Sequence, residues 1–366
     1  MKNWTVPATS ALAALATLAA LTPASAAQTP TGVITVSYFQ KAYEMDLDGG
    51  PATTLATIFG VRPNAMAKDA AGRLWTTGNP SSTAGDLMLV RLDPFTGATL
   101  DERPILGLES VRGLTFLPDG SLLAVEGDST GGPSELYEIA VDGTALPRGV
   151  TGSLAIQSLH WHGARLLGGT SSAVVELDPA TGAVLSTLIA DTPSMQWMAT
   201  DACGDLYGGW GKFHRLDVDA GTWIDLGFLP YGDNRGFEFQ PVPSTVEVIP
   251  GSPANPLVFG LAPGTDALIG RTLKLAVDHT TFVSSAVQDV LLLGYTQANI
   301  PTFAGTLSLV AVGGGPYFFD QVGLYAVDIP LSCGLFGLDL YFQAASISPD
   351  SGISLTNAIR VQFGWN

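Results

Sequence analysis

Between Met66 and Tyr207 one pattern returns four times: an apolar strand, a tight turn holding glycine, and a second apolar strand. The copies run from Met66 to Trp75 around Ala71-Gly72, from Leu114 to Ala124 around Asp119-Gly120, from Ile156 to Leu167 around His162-Gly163 and from Trp197 to Tyr207 around Cys203-Gly204. Their turn glycines stand 48, 43 and 41 residues apart. A chain with this period builds one supersecondary unit repeatedly, and each unit buries its apolar face only against the next. A second element follows each first one: Val90 to Gly97, Leu136 to Gly143, Val175 to Gly182 and His214 to Gly221. Each is an alternating strand that ends in Asp or Gly turn chemistry, with another strand after it, so every unit predicts four strands. The 43 glycines, 24 prolines and only 13% charged residues suit short strands and turns rather than helices.

A further copy of the second element, Tyr43 to Gly50, stands near the N-terminus without its first element. The missing half comes at the other end, where Arg235-Gly236-Phe237-Glu238-Phe239-Gln240-Pro241 repeats the pattern of Arg112-Gly113-Leu114-Thr115-Phe116-Leu117-Pro118. A ring of blades closes by building one blade from both chain ends, which pairs strand edges that would otherwise be exposed. The expectation over residues 33–242 is an all-β, five-bladed β-propeller, six-bladed if a degenerate unit lies in a long loop.

After Pro241 the period changes, and the stretch with Pro243, Pro250, Pro253 and Pro256 reads as a linker or a first edge. From residue 252 to 366 short apolar or alternating runs follow at Leu257–Leu261, Thr272–Val277, Val287–Tyr295, Thr306–Val312, Tyr325–Ile329, Gly337–Ser346 and Ala358–Phe363, the pattern of an antiparallel β-sandwich. At the opposite end, Lys2, the apolar run Ala11–Leu21 and the triplet Ala24-Ser25-Ala26 have the order of a secretory signal peptide over residues 1–26. The run is too short to span a bilayer, so export without membrane insertion is expected, to the periplasm or the medium. A net charge of −17 speaks against nucleic acid and anionic membranes as partners. Cys203 and Cys333 are too few for a disulfide scaffold; two buried thiols are expected, with a bridge between them left open.

Segments such as Pro118–Ala124 (PDGSLLA) and Leu177–Leu185 (LDPATGAVL) resemble those of secreted bacterial propellers of the strictosidine-synthase and gluconolactonase-like, NHL and YVTN types. The resemblance covers residues 33–242 and implies a fold; enzymes and inert scaffolds share it. The C-terminal stretch, through Leu338–Ala344 and Leu355–Gly364, resembles a C-terminal domain common in secreted proteins of environmental Gram-negative bacteria. That likeness implies an accessory role in stability, attachment or sorting, and no activity.

In a propeller the loops entering the inner strands line one face of the central channel, which is the default site. Eight residues before each turn glycine, or its equivalent, stand Asn64, Arg112, Ala155, Gln196 and Arg235, with Gln157 and Trp197 close by. Arginine forks, amides and an indole suit a carboxylate, phosphate or sugar; the competing reading is that they cap strand ends and hold channel water. Glu126, Asp128 and Asn79, with Asn64, would make an oxygen-rich Ca²⁺ site like that of lactonase-type propellers. Trp210 belongs to the same loops. His160 and His162 have the one-face spacing of a zinc pair, yet His162 falls at a turn and no third ligand is evident. Gly127-Asp128-Ser129-Thr130-Gly131-Gly132 lacks the strand-to-helix elbow and histidine partner of a serine hydrolase. The leading expectation is a monomeric secreted binding protein for a small molecule, glycan or protein. The alternative is an extracellular hydrolase or lyase on a lactone, ester or sugar.

Overall fold

The computed structural model describes residues 32–365 apart from 38–39, 47–52, 59–60, 81–86, 128–131, 141, 230–232, 312–316, 320–322 and 331. The signal peptide expected at residues 1–26 lies outside the described residues. Regular structure among those described is strand, with one 3-10 turn at Cys333–Leu335, and no helix is long and apolar enough to cross a membrane. The described chain divides into two compact units, one ending at Pro241 and the other beginning at Val242.

The first unit opens with β1 (Gly32–Ser37), β2 (Lys41–Asp46) and β3 (Thr53–Thr57), then repeats a four-stranded antiparallel meander. Its copies are β4 (Val61–Lys68) to β7 (Thr99–Ile105) through β5 (Leu74–Pro80) and β6 (Leu87–Leu92); β8 (Gly113–Phe116) to β11 (Ala145–Val150) through β9 (Leu122–Glu126) and β10 (Glu135–Ile139); β12 (Ser158–His162) to β15 (Val184–Ala190) through β13 (Arg165–Gly169) and β14 (Ala173–Leu177); and β16 (Trp197–Thr200) to β19 (Thr222–Phe228) through β17 (Leu206–Gly209) and β18 (Lys212–Asp217). The last strand, β20 (Asn234–Phe239), returns to β1, with Val33 opposite Phe239 and Thr35 opposite Phe237, giving the sheet order β20-β1-β2-β3. The described residues thus form five such sheets. Their inner strands touch in a cycle: β20 with β4, β4 with β8, β8 with β12, β12 with β16, and β16 with β20. This closed ring of stacked sheets is a β-propeller.

The turn glycines explain why the meander repeats. Gly72, Gly120, Gly163 and Gly204 have φ of 76°, 91°, 62° and 84°, a region that side chains with a Cβ disfavour. The Arg-Gly pairs have another cause. A Cβ on Gly113 would lie 2.4 Å from the Leu159 backbone nitrogen, and one on Gly236 2.5 Å from Met66 Cβ. Only glycine lets adjacent inner strands approach this closely around a small ring.

The core lies between sheets. Ile34, Val36, Met66 and Val90 fill the seam between the first two sheets, Leu89, Ile105, Leu114 and Ile139 the next, Val125, Ile156, Leu159 and Val175 the third, and Leu167, Met195, Met198 and Leu216 the fourth. The closing seam is aromatic: Trp197 stacks on Phe237 with centroids 4.1 Å apart, and Phe213, Tyr207 and Phe239 extend the cluster. Cys203 is disulfide-bonded, which corrects the expectation of a buried thiol there.

The second unit contains β21 (Thr245–Ile249), β22 (Phe259–Leu261), β23 (Thr272–Val277), β24 (Gln288–Thr302), β25 (Gly305–Ala311), β26 (Tyr317–Phe319), β27 (Leu324–Asp328), β28 (Asp339–Ser348) and β29 (Gly352–Gln362). They form a six-stranded sheet with the path β21-β29-β28-β24-β25, β26 pairing β24, and a three-stranded sheet β22-β23-β27. Of the two readings of residues 241–256, linker or first edge, β21 bears out the edge: it pairs with β29 from Thr245 opposite Gln362 to Ile249 opposite Ala358. Prolines flank it without interrupting it, as an edge position allows. Buried amides hold this unit. Gln343 Nε2 donates to the carbonyls of Thr306 (2.9 Å) and Thr356 (2.7 Å) while its Oε1 accepts from the Ser308 N–H (2.9 Å). Asn357 Oδ1 accepts the N–H groups of Val258 and Phe259, both at 2.9 Å, tying the two sheets together.

Candidate functional site

Each inner strand is entered by a loop, and the residues at those entries meet around the ring. Gln157 precedes β12, Gln196 precedes β16, and Arg235 is the second residue of β20. Hydrogen bonds join all three. Gln157 Oε1 accepts from Ser194 Oγ (2.6 Å) and Gln196 Nε2 (3.4 Å), and Gln196 Oε1 accepts from Arg235 Nη1 (2.9 Å). Arg235 Nε donates to Asp233 Oδ1 (2.8 Å), which also accepts from Trp210 Nε1 (3.3 Å). The relay runs across three sheets and ends on an indole that is 43% exposed. Divided between an amide oxygen and a carboxylate, the guanidinium is fixed in place before any ligand arrives, the economy of a planar donor fork.

The other expected site residues do different work. Asn64 is buried and donates Nδ2 to the Val111 carbonyl at 2.6 Å, a clamp between neighbouring sheets. Arg112 Nε points to the Gly127 carbonyl at 3.4 Å. Trp197 is only 2% exposed in the aromatic seam, so its faces are spent on Phe237 and Phe213; this corrects its reading as a stacking surface for ligand. Glu126 Oε1 accepts the backbone N–H groups of Glu109 (2.8 Å) and Ser110 (3.4 Å). Asp128 and the side chain of Asn79 lie outside the described residues, and among those described no group of three or more His, Cys, Asp or Glu converges as a metal cage.

A second cluster lies farther along the inner strands, and the sequence singled out only its histidines, His160 and His162. Lys68 ends β4, Glu238 lies near the end of β20, and His160 and His162 share β12. Thr200 Oγ1, at the end of β16, is 2.7 Å from His160 Nε2 and 2.9 Å from His162 Nδ1. One hydroxyl proton serves two ring nitrogens, so one imidazole accepts from Thr200 and the other donates to it, which couples their tautomers. Burial pushes Glu238 up to about 7, against the pull of the nearby Lys68 ammonium. Burial likewise lowers Lys68 to about 8, and its Nζ donates to the Phe239 carbonyl at 3.2 Å. His160 is pushed down to about 3 by burial, with His162 and Lys68 adding to the effect. Since β4 and β12 are not neighbours in the ring, the charge coupling of Lys68 with His160 acts across its interior. The sequence did hold one signal: an acidic residue between Phe237 and Phe239, in the middle of an apolar inner strand.

No known protein family matches the chain, and no curated protein matches it. Among solved structures it is similar to a protein of unknown function from Bacteroides caccae, at 18% identity over 69% of this chain and 85% of that one, with a TM-score of 0.36. It is also similar to the WD40 β-propeller domain of Doa1, at 14% identity over 57% and 82% of the two chains and a TM-score of 0.37. A gluconolactonase of Xanthomonas campestris is a third, at 17% identity over 48% of this chain and 67% of that one, with a TM-score of 0.35.

Proposed function

We propose that this chain is an exported ligand-binding β-propeller, and that it takes a polar small molecule bearing hydroxyl or carboxylate groups where the inner strands begin. The observation that carries this reading is the relay Gln157–Gln196–Arg235, assembled by hydrogen bonds from three sheets and flanked by the exposed Trp210. Amides and a guanidinium read hydroxyls and carboxylates, and an indole covers the apolar face of a sugar ring. The second unit, in this reading, is a β-sandwich accessory to the propeller.

Calorimetric titration of the chain from residue 27 onward with neutral sugars, sugar acids and dicarboxylates tests it. At least one class binds, and Arg235→Ala weakens that binding by about 10- to 100-fold, the range for a lost hydrogen bond to a charged group. No heat with any class, or binding indifferent to Arg235→Ala, rejects the proposal.

A second reading, an extracellular hydrolase or lyase, draws on the interior cluster, because displaced proton affinities gathered from several strands favour acid-base chemistry. Turnover of lactone or ester substrates that Glu238→Gln abolishes, without lowering the unfolding midpoint, would favour it.

A further inference from the structure

Between the second and third sheets, at the turns that follow β4 and β8, a cleft of about 410 Å³ opens. It is separate from the relay, whose residues precede the inner strands. Its floor is apolar, formed by Trp75, Phe116, Leu89 and Ile139. Trp75 is held firmly. Its Nε1 donates to Asp69 Oδ2 at 3.2 Å, its ring lies 6.5 Å from Phe116 at 54°, and the Arg103 guanidinium sits 5.5 Å from its centroid.

The second sheet contributes Arg73, Arg103 and Asp69, whose carboxylate is already bound by Arg73 Nε, Trp75 Nε1 and the N–H groups of Ala71 and Arg73, and the third contributes Asp119 and Glu138. Their internal partners leave capacity unspent. Arg73 engages Asp69 through Nε alone, and Arg103 engages Asp101 through Nε and Nη2. Glu138 pairs with Arg148 through Oε2. Among the described residues, the terminal nitrogens of Arg73, Nη1 of Arg103 and Oε1 of Glu138 therefore remain for a ligand. A simple anion entering the cleft meets Asp119 and Glu138, and a simple cation meets the two arginines. A ligand carrying both signs satisfies both sides. The volume falls within the range of small-molecule sites, and the floor asks for an apolar or aromatic group.

We infer that this cleft binds a free α-amino acid with an apolar or aromatic side chain, its carboxylate toward Arg73 and Arg103, its ammonium toward Glu138 and Asp119, and its side chain against Trp75. The test is titration calorimetry on the chain with L-leucine, L-phenylalanine and L-tryptophan, each compared with its N-acetylated and its amidated form. At least one free amino acid binds, and blocking either end weakens binding about tenfold or more. Arg73→Gln and Glu138→Gln, checked for an unchanged unfolding midpoint without ligand, each weaken it to a similar extent. No binding at millimolar concentration overturns the inference. So does equal binding of free and blocked forms, or affinity that neither substitution changes.

Discussion

Gln343 is completely buried, and its amide makes three hydrogen bonds, two of them to carbonyls that Asn255 also binds. Leucine at that position would keep the volume and orphan the Ser308 N–H. An unsatisfied buried backbone group costs about 1–3 kcal/mol, so Gln343→Leu lowers the unfolding free energy of the second unit by that much, as urea titration measures. In the sequence, Gln343 and Asn357 are polar residues inside the largely apolar stretches YFQA and LTNAI. Nothing local tells which carbonyls they serve, because their partners lie up to 99 residues away. The two indoles make the same point. Trp197 and Trp210 are both near the expected site in the sequence, but Trp197, the first residue of β16, packs into the seam, whereas Trp210, in the turn between β17 and β18, stays exposed.

At the scale of elements, closure of the ring depends on β20. It pairs with β1 along one edge and presents Phe237 to Trp197 of β16. Removing the ring of a fully buried phenylalanine costs about 3–5 kcal/mol, so Phe237→Ala should lower the thermal midpoint of the propeller far more than truncation of the exposed Phe228 on β19. Differential scanning calorimetry of the two variants checks it, and equal shifts would mean that the seam does not hold the ring shut. The strands and their repeat were legible, because alternation, Asp-Gly turns and a period of 41 to 48 residues are local signals. β21 was legible only as one of two readings, since flanking prolines suit a linker and an edge strand alike, and pairing with β29 decides for the edge.

Across the whole molecule, the interior cluster links stability to pH. Glu238 is shifted from 4.5 to about 7, so between these values the folded protein keeps a proton that the unfolded chain has released, and stability falls as pH rises through that window. Lys68 is shifted from 10.5 to about 8, so the unfolded chain holds the extra proton and stability recovers as pH rises from about 8. His160, shifted from 6.5 to about 3, loses stability for the fold as pH falls through its own window. Glu238→Gln removes the first contribution. Its advantage over the parent chain should be small below pH 4.5 and grow to the order of 3 kcal/mol above pH 7. Urea unfolding on both sides of that window measures it, and a difference that does not change with pH refutes the assignment.

The sequence alone determined the all-β class, the repeated four-stranded unit and the supply of one sheet from both chain ends. Each of these rests on short-range chemistry: side-chain alternation, turn residues and glycines at positive φ. Only the tertiary structure decided which residues share a site. Gln157, Gln196 and Arg235 belong to different sheets, as do Lys68, His160 and Glu238. Whether such side chains touch depends on the order in which inner strands meet around the ring and on the parity of each residue within its strand, and pairing across the closed ring sets both.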